Sequence, residues 1–283
     1  MTSPFNFTTT GLEDLEPFWE SVDEFFRFSL EITDKRGATY SYVSPNGNGS
    51  YTFTGDMELP NISSEDMYEA VKPIYDFIIQ RGINTTQPEP APSARFSAMK
   101  RGVGDKPGNS RFATRLLPRE NLEDPDLFDK TMAVMREIVE AGYVFHGLNF
   151  EPNEKAAGWP GVDSGVNPAW RKAVMHADVF DTVPAKAPVQ VIKDAHLRLD
   201  GYMNKLRAVT PGSGAYINEA DRLEPNFQES FWGDKYEKLS SIKKARDPWG
   251  LFWAPATVGS EGWAVEGSNG LPNQNGMLCK TKA

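Results

Sequence analysis

The strongest constraint on the fold is a repeated switch between two spacings of apolar residues. Over 12–33 they recur at the three- and four-residue spacing of an amphipathic helix. The spacing becomes two over 38–43 and 50–59, with a Gly- and Asn-rich turn between the stretches, which predicts a β-hairpin. A second helix is predicted over 64–81, and Pro73 is expected to kink or split it.

The same order of elements then recurs along the chain. Alternating stretches over 94–100 and 111–117 predict another pair of strands. The remaining predicted elements are strands at 143–150 and 173–183 and helices at 125–141 and 188–208. Two rounds of helix, paired strands and helix predict an α+β fold, with one antiparallel sheet covered by helices on one face.

Charge and composition exclude several classes of partner. The net charge of −9 argues against nucleic acid, because phosphate backbones are bound by stripes of Lys and Arg. No apolar run approaches the roughly 20 residues that span a bilayer, and the N-terminus has no signal-peptide pattern. Cys279 is the only cysteine, and the three histidines are scattered, so no metal site is expected.

The C-terminal third has a different character, since it is rich in aromatic residues and glycine. It begins with Gly-Ala-Tyr-Ile-Asn-Glu, where Tyr216 and Ile217 suit a strand but polar residues follow at once. One helix is predicted over 234–245, ended by Asp247-Pro248, and 266–283 is expected to be an unstructured tail. A strand that stops in polar residues indicates either an ordinary turn or a contact with a ligand.

This third resembles the C-terminal region of the berberine-bridge-enzyme-like, FAD-linked oxidoreductases of the vanillyl-alcohol-oxidase type, in their fungal form. The matching residues are Tyr216-Ile217-Asn218, Phe231-Trp232-Gly233, Tyr236 to Leu239, Lys243 to Pro248, Leu251-Phe252 and Pro255. The resemblance implies a substrate-binding domain at 1–208, a segment at 209–265 that in relatives completes the FAD-binding domain, and a flexible tail at 266–283.

The resemblance also implies a function. The relatives use FAD to oxidise an alcohol or a natural-product substrate by hydride transfer to the flavin, which O2 reoxidises. The N-terminal FAD domain of the family has no counterpart here, and the nearest thing to a phosphate loop, at 101–108, equally suits a hairpin loop. We therefore expect this chain alone to hold FAD only weakly.

Site residues follow from the same resemblance. Tyr216, Asn218 and Tyr236 are implied as flavin contacts, and Glu219 occupies the position of a proton-handling residue, although it also suits a solvent-facing turn. His146 and His176 are substrate-pocket candidates if their strands are neighbours, and hydrogen-bonded sheet histidines otherwise.

A second hypothesis belongs to another class of function. The chain is then a non-catalytic fragment or interaction module that lacks its own flavin site. In either case an apolar surface at 231–232 and 249–253 is expected to bind a separate flavin-domain chain or to drive self-association.

The relatives are often secreted, and the sequence does not assign a compartment.

Overall fold

The computed structural model describes residues 1–9, 11–92, 110–157, 164–184, 186–219, 221–271 and 276–281. The strands are β1 (Thr2–Thr8), β2 (Ala38–Gly47), β3 (Ser50–Glu58), β4 (Ser110–Pro118), β5 (Val144–Asn149), β6 (Ala173–Thr182), β7 (Trp263–Glu266) and β8 (Met277–Lys280). The helices are α1 (Leu15–Asp34), α2 (Ser64–Gln80), α3 (Glu120–Glu123), α4 (Pro125–Glu140), α5 (Glu154–Ala157), α6 (Val189–Val209), α7 (Phe227–Trp232) and α8 (Tyr236–Arg246).

Six strands form one sheet in the order β1-β3-β2-β5-β6-β4, and every neighbouring pair is antiparallel. The predicted α+β fold with an antiparallel sheet is therefore confirmed. The predicted hairpin is β2 and β3, joined at Asn48 and Gly49, whose φ angles of 55° and 74° are those of a tight hairpin turn.

Helices cover one face of this sheet and form the core with it. The apolar stripe of α1 is fully buried, including Phe18, Val22 and Phe26. Gly147 of β5 is required where α1 packs, because a Cβ there would lie 2.8 Å from Cε1 of Phe26. Along each strand the residues of the helix face alternate with those of the opposite face, which we call the open face. On β2, for example, Tyr40 and Tyr42 are exposed on the open face.

The segment after α6 returns to the edge of the sheet at β4. The Leu116 N–H donates to the Gly214 carbonyl (2.8 Å), and the Tyr216 N–H donates to Oγ1 of Thr114 (3.1 Å). Residues Ile217–Glu219 then form one 3-10 turn. The strand expected at Tyr216 is therefore wrong, because its amide binds a side chain of β4 and does not join the backbone ladder.

The structure also differs from the sequence predictions at β1, at β8 and at Pro73. The strand β1 was not predicted, and β8 lies within the expected unstructured tail. The helix α2 runs through Pro73 as one helix. The strand predicted at 94–100, and all of the 101–108 loop, lie outside the described residues.

Candidate active site on the open face of the sheet

One transverse row of the open face holds a histidine between an aromatic ring and a carboxylate. Strand register places Tyr42, His146, Asp178 and Thr114 side by side on β2, β5, β6 and β4. The Tyr42 and His146 rings stack with centroids 4.2 Å apart and planes 4° apart. On the other side, His146 Nδ1 lies 3.8 Å from Oδ2 of Asp178, a separation that is too long for a direct hydrogen bond.

A second histidine, His176, stands two residues before Asp178 on the same face. Its Nδ1 lies 3.6 Å from Oε2 of Glu219, which comes from the returning segment. The His176 side chain is 2% exposed, whereas that of Glu219 is 52% exposed. Tyr216 meets the His176 ring edge-on at 5.4 Å, and Trp170 lies 5.8 Å from it. The returning segment therefore covers His176 and leaves the Glu219 carboxylate open to a ligand.

Burial sets the protonation states of this cluster. It lowers the pKa of His176 from 6.5 to about 4, so the imidazole is neutral near pH 7. Burial also raises the pKa of Asp178, against the opposing effect of His146. The pKa of Glu219 is raised by partial burial first and by the Asp178 charge second. A carboxylate with a raised pKa is a stronger base than an ordinary glutamate, and the imidazole beside it is neutral near pH 7.

Three buried polar atoms on this face have no hydrogen-bond partner. They are Nε2 of His146, Nε2 of His176 and Oδ1 of Asp178. A buried polar atom left unpaired costs on the order of 1–3 kcal/mol, and native folds rarely leave several in one place. Unpaired buried atoms also occur on Arg111, Asp181 and His196, so they do not by themselves identify a ligand site.

The predicted flavin contacts divide into two groups. Asn218 donates from Nδ2 to the Tyr216 hydroxyl (2.7 Å), so these two residues form one polar unit beside His176. Tyr236 lies elsewhere, at the start of α8. Its hydroxyl donates to Glu261 (2.6 Å to Oε2) and accepts from the Gly259 N–H (3.1 Å), which fixes the C-terminal segment internally.

Three residues of the cluster were not predicted from the sequence as site residues: Tyr42, Trp170 and Asp178. The signal for Asp178 was present, because it alternates with His176 in a strand and shares its face. Tyr42 and Trp170 gave no such signal, since aromatic residues are common in cores and strands. Among the described residues no group of three or more His, Cys, Asp or Glu side chains is placed to hold a metal ion.

The C-terminal segment carries a recognisable family pattern. Residues 215–259 match the family described as "Berberine and berberine like". The match includes Tyr216, Asn218 and Glu219 of the candidate site.

Curated relatives extend the similarity over most of the chain. The "VAO-type flavoprotein oxidase VAO615" of Thermothelomyces thermophilus is 27% identical over 273 residues, which is 94% of this chain and 45% of the relative. The "FAD-linked oxidoreductase ZEB1" of Gibberella zeae is 33% identical over 175 residues, or 62% of this chain and 28% of the relative. The chain thus spans about half the length, or less, of the curated relatives that it matches.

Solved structures show the same fold. The VAO-type flavoprotein MtVAO615 from Myceliophthora thermophila C1 superposes with a TM-score of 0.77 and 23% identity, over 99% of this chain and 50% of that protein. In the described part of this chain, no helix has the length and apolar character needed to cross a membrane.

Proposed function

Because this chain is a berberine-bridge-enzyme-like homologue of the FAD-linked oxidoreductases, we propose that it forms the substrate-binding half of such an enzyme. The proposed reaction is oxidation of an alcohol or natural-product substrate. The observation that carries this proposal is the buried His176 imidazole beside the half-exposed Glu219 carboxylate on the open face. They lie where the returning segment, which bears the family pattern, meets the sheet.

The residues fit the ring of FAD better than its pyrophosphate. An isoalloxazine ring carries N–H and C=O groups that match the exposed Asn218 amide. When bound, FAD accepts a hydride from a substrate carbon and is reoxidised by O2. A pyrophosphate needs a cradle of backbone N–H groups at a helix N-terminus. We propose that this cradle belongs to the part of the relatives that the present chain does not span.

In the proposed reaction Glu219 takes the proton that a substrate hydroxyl or C–H group loses. Its carboxylate is half exposed, so a substrate reaches it, and its raised pKa makes it a better base than an ordinary glutamate. The neutral His176 ring lies beside the Glu219 carboxylate on its buried side. We assign substrate binding to His146, whose orientation is set by the Tyr42 ring and Asp178.

The organisation proposed for the chain is a substrate-binding domain at 1–208, joined to the family segment at 209–265. Two contacts support this packing: Arg207 Nη2, on α6, lies 2.7 Å from Glu224 Oε2, and Arg115, on β4, donates to the Thr210 carbonyl (2.8 Å). The segment also carries a cluster of exposed apolar side chains. Trp249, Leu251 and Phe252 are 80%, 78% and 75% exposed, and together we call them the 249–252 patch.

We propose that the 249–252 patch packs against a flavin-binding partner or, without one, against a second copy of the chain. Phe231 does not belong to this surface, because it is 4% exposed. The patch is also well ordered: Asp247 accepts hydrogen bonds from the N–H groups of Leu251 (2.8 Å) and Phe252 (3.0 Å). A preformed apolar surface of this kind suits a stable interface.

A chimaera tests the proposed function. Residues 1–265 replace the matching half of the Thermothelomyces relative, so that the flavin-binding half comes from that protein. We expect a yellow protein whose flavin is reduced by members of a panel of aromatic alcohols and releases peroxide in air. A folded, colourless chimaera would support the alternative, a non-catalytic interaction module.

A further inference from the structure

A cavity of about 670 Å³ lies on the open face beside the candidate active site. Its floor is formed by β1, β3 and β2, and its wall by residues 84–88. The wall is anchored, because Thr85 donates to the Asn6 carbonyl (3.1 Å) and Gln87 donates to the Tyr68 carbonyl (2.7 Å). The volume lies in the range of roughly 300–1,000 Å³ that small-molecule pockets occupy.

The cavity and the candidate active site lie on one row of the sheet. Register places Asn6, Thr54 and Tyr42 side by side, and the same row continues through His146 to Asp178. Neighbouring strands lie about 4.8 Å apart, so Asp178 is only about 10 Å along the row from Tyr42. A molecule bound in the cavity reaches the candidate active site only if it is long enough to pass Tyr42, which lines the cavity and stacks on His146.

The lining selects the chemistry of that molecule. Tyr40 and Tyr42 are 42% and 40% exposed and offer aromatic surface to a flat ring. Asp56, opposite Tyr40 in register, offers a carboxylate that accepts from a ligand hydroxyl. Among the described residues that line the cavity there is no Lys, Arg or His. An anionic ligand would meet the Asp56 charge with no cation to offset it.

We infer that this cavity binds the body of the substrate and that it selects an uncharged ring carrying hydroxyl groups. Asp56 and Tyr40 are the residues that determine this specificity. To call the bound molecule a substrate rests on the proposed function. The cavity and its selectivity are properties of this chain alone.

Binding to the purified chain, measured by isothermal titration, tests the inference without flavin or turnover. The probes are methyl gallate, its acid form gallate, and cellobiose. We expect methyl gallate to bind several-fold more tightly than gallate, since the two differ by one negative charge and Asp56 is an exposed carboxylate. If cellobiose binds instead of methyl gallate, and if its affinity depends on Asp56 in the same way, the bound ring is that of a saccharide.

Variants show whether Asp56 and Tyr40 are responsible. Asp56→Ala and Tyr40→Ala are each expected to weaken binding of the neutral probe by about tenfold, the scale of one charge-assisted hydrogen bond or ring contact. Asp56→Asn, which keeps the shape, should narrow the gap between methyl gallate and gallate. Glu69→Ala, an exposed carboxylate on α2 outside the cavity, is the matched control and should change nothing.

Equal binding of gallate and methyl gallate would overturn the inference, and so would an unchanged affinity in folded Asp56→Ala. Failure of both neutral probes to bind would overturn it as well. The proposed function fails separately, in the chimaera, if its flavin is never reduced. If the purified chain binds methyl gallate but the chimaera is inactive, the inference about the cavity stands and the oxidoreductase assignment fails.

Discussion

His176 Nδ1 lies 3.6 Å from Oε2 of Glu219, and the two side chains come from parts of the chain that only the fold brings together. The histidine is buried on the central sheet, and the glutamate is half exposed on the returning segment. Burial keeps the imidazole neutral, and partial burial with the Asp178 charge raises the pKa of the carboxylate. We propose that Glu219, beside this neutral imidazole, is the proton-handling residue of the open face.

Replacing Glu219 by Gln should abolish most turnover in the chimaera. The amide keeps the shape of the side chain but cannot accept the substrate proton, so kcat should fall by roughly 10²-fold or more. Steady-state peroxide release measures the effect, and Glu237→Gln on the exposed side of α8 serves as the control. Turnover equal to wild type in Glu219→Gln would remove this residue from the mechanism.

Acid should destabilise the protein partly through His176. Its pKa falls from 6.5 to about 4 on folding, so the unfolded chain binds the proton more tightly between these values. The contribution of His176 to the free energy of unfolding is complete above about pH 6.5. It declines as the pH falls toward about 4, by about 3 kcal/mol at most.

The His176→Gln variant lacks this titration. The difference in free energy of unfolding between wild type and variant should therefore shift in favour of the variant as the pH falls. Urea unfolding at about pH 7 and about pH 4.5 measures this shift. A difference that stays constant across this range would show that the imidazole titrates alike in both states.

Packing of α1 on the sheet predicts a sharp contrast between two glycines. Gly147→Ala places a methyl group 2.8 Å from the Phe26 ring and should destabilise the fold by about 1–3 kcal/mol. Gly201→Ala, within α6 and with no atom within 4 Å of its added Cβ, should stabilise it by about 0.5–1 kcal/mol. Thermal unfolding of the two variants measures both changes in stability. Equal changes would contradict the close approach of α1 to Gly147.

The 249–252 patch predicts association. Trp249→Ser combined with Phe252→Ser should weaken self-association, or docking of a flavin-binding partner, by at least about tenfold, because aromatic anchors dominate such interfaces. Leu197→Ser is the matched control, since Leu197 is a single apolar residue, 71% exposed, on α6. Sedimentation velocity over a range of concentrations measures the change, and identical profiles for all three proteins would exclude the patch from the interface.

Spacing of apolar residues was sufficient to predict the antiparallel sheet, because one buried face of a strand requires alternation and one buried face of a helix requires three- and four-residue spacing. The strand β1 was missed because Pro4 and two polar residues alternate with its phenylalanines at the sheet edge. Pro73 did not break α2, which shows packing of Ile74 and Tyr75 overriding the local preference.

The candidate site was less accessible to sequence reasoning. His146, His176 and Glu219 were named, but the order of strands that joins them follows from long-range pairing and not from local pattern. Asp178 gains its role only because β5 and β6 are neighbours. The role of Tyr216 as part of a turn, held by Thr114, depended on a side-chain contact that no spacing rule predicts.

The central claim is that this chain contacts the flavin ring, whereas the pyrophosphate of FAD is held by a part of the relatives that this chain does not span. Isothermal titration of FAD into the purified chain, with sedimentation on the same sample, tests this claim most directly. In the proposed division the open face contacts only the flavin ring, and a pyrophosphate held without a cradle of N–H groups contributes little. We expect no binding tighter than about micromolar, in a protein that self-associates through the 249–252 patch. Sub-micromolar binding of FAD by a clean monomer would contradict this division and would make the chain a self-sufficient flavoprotein.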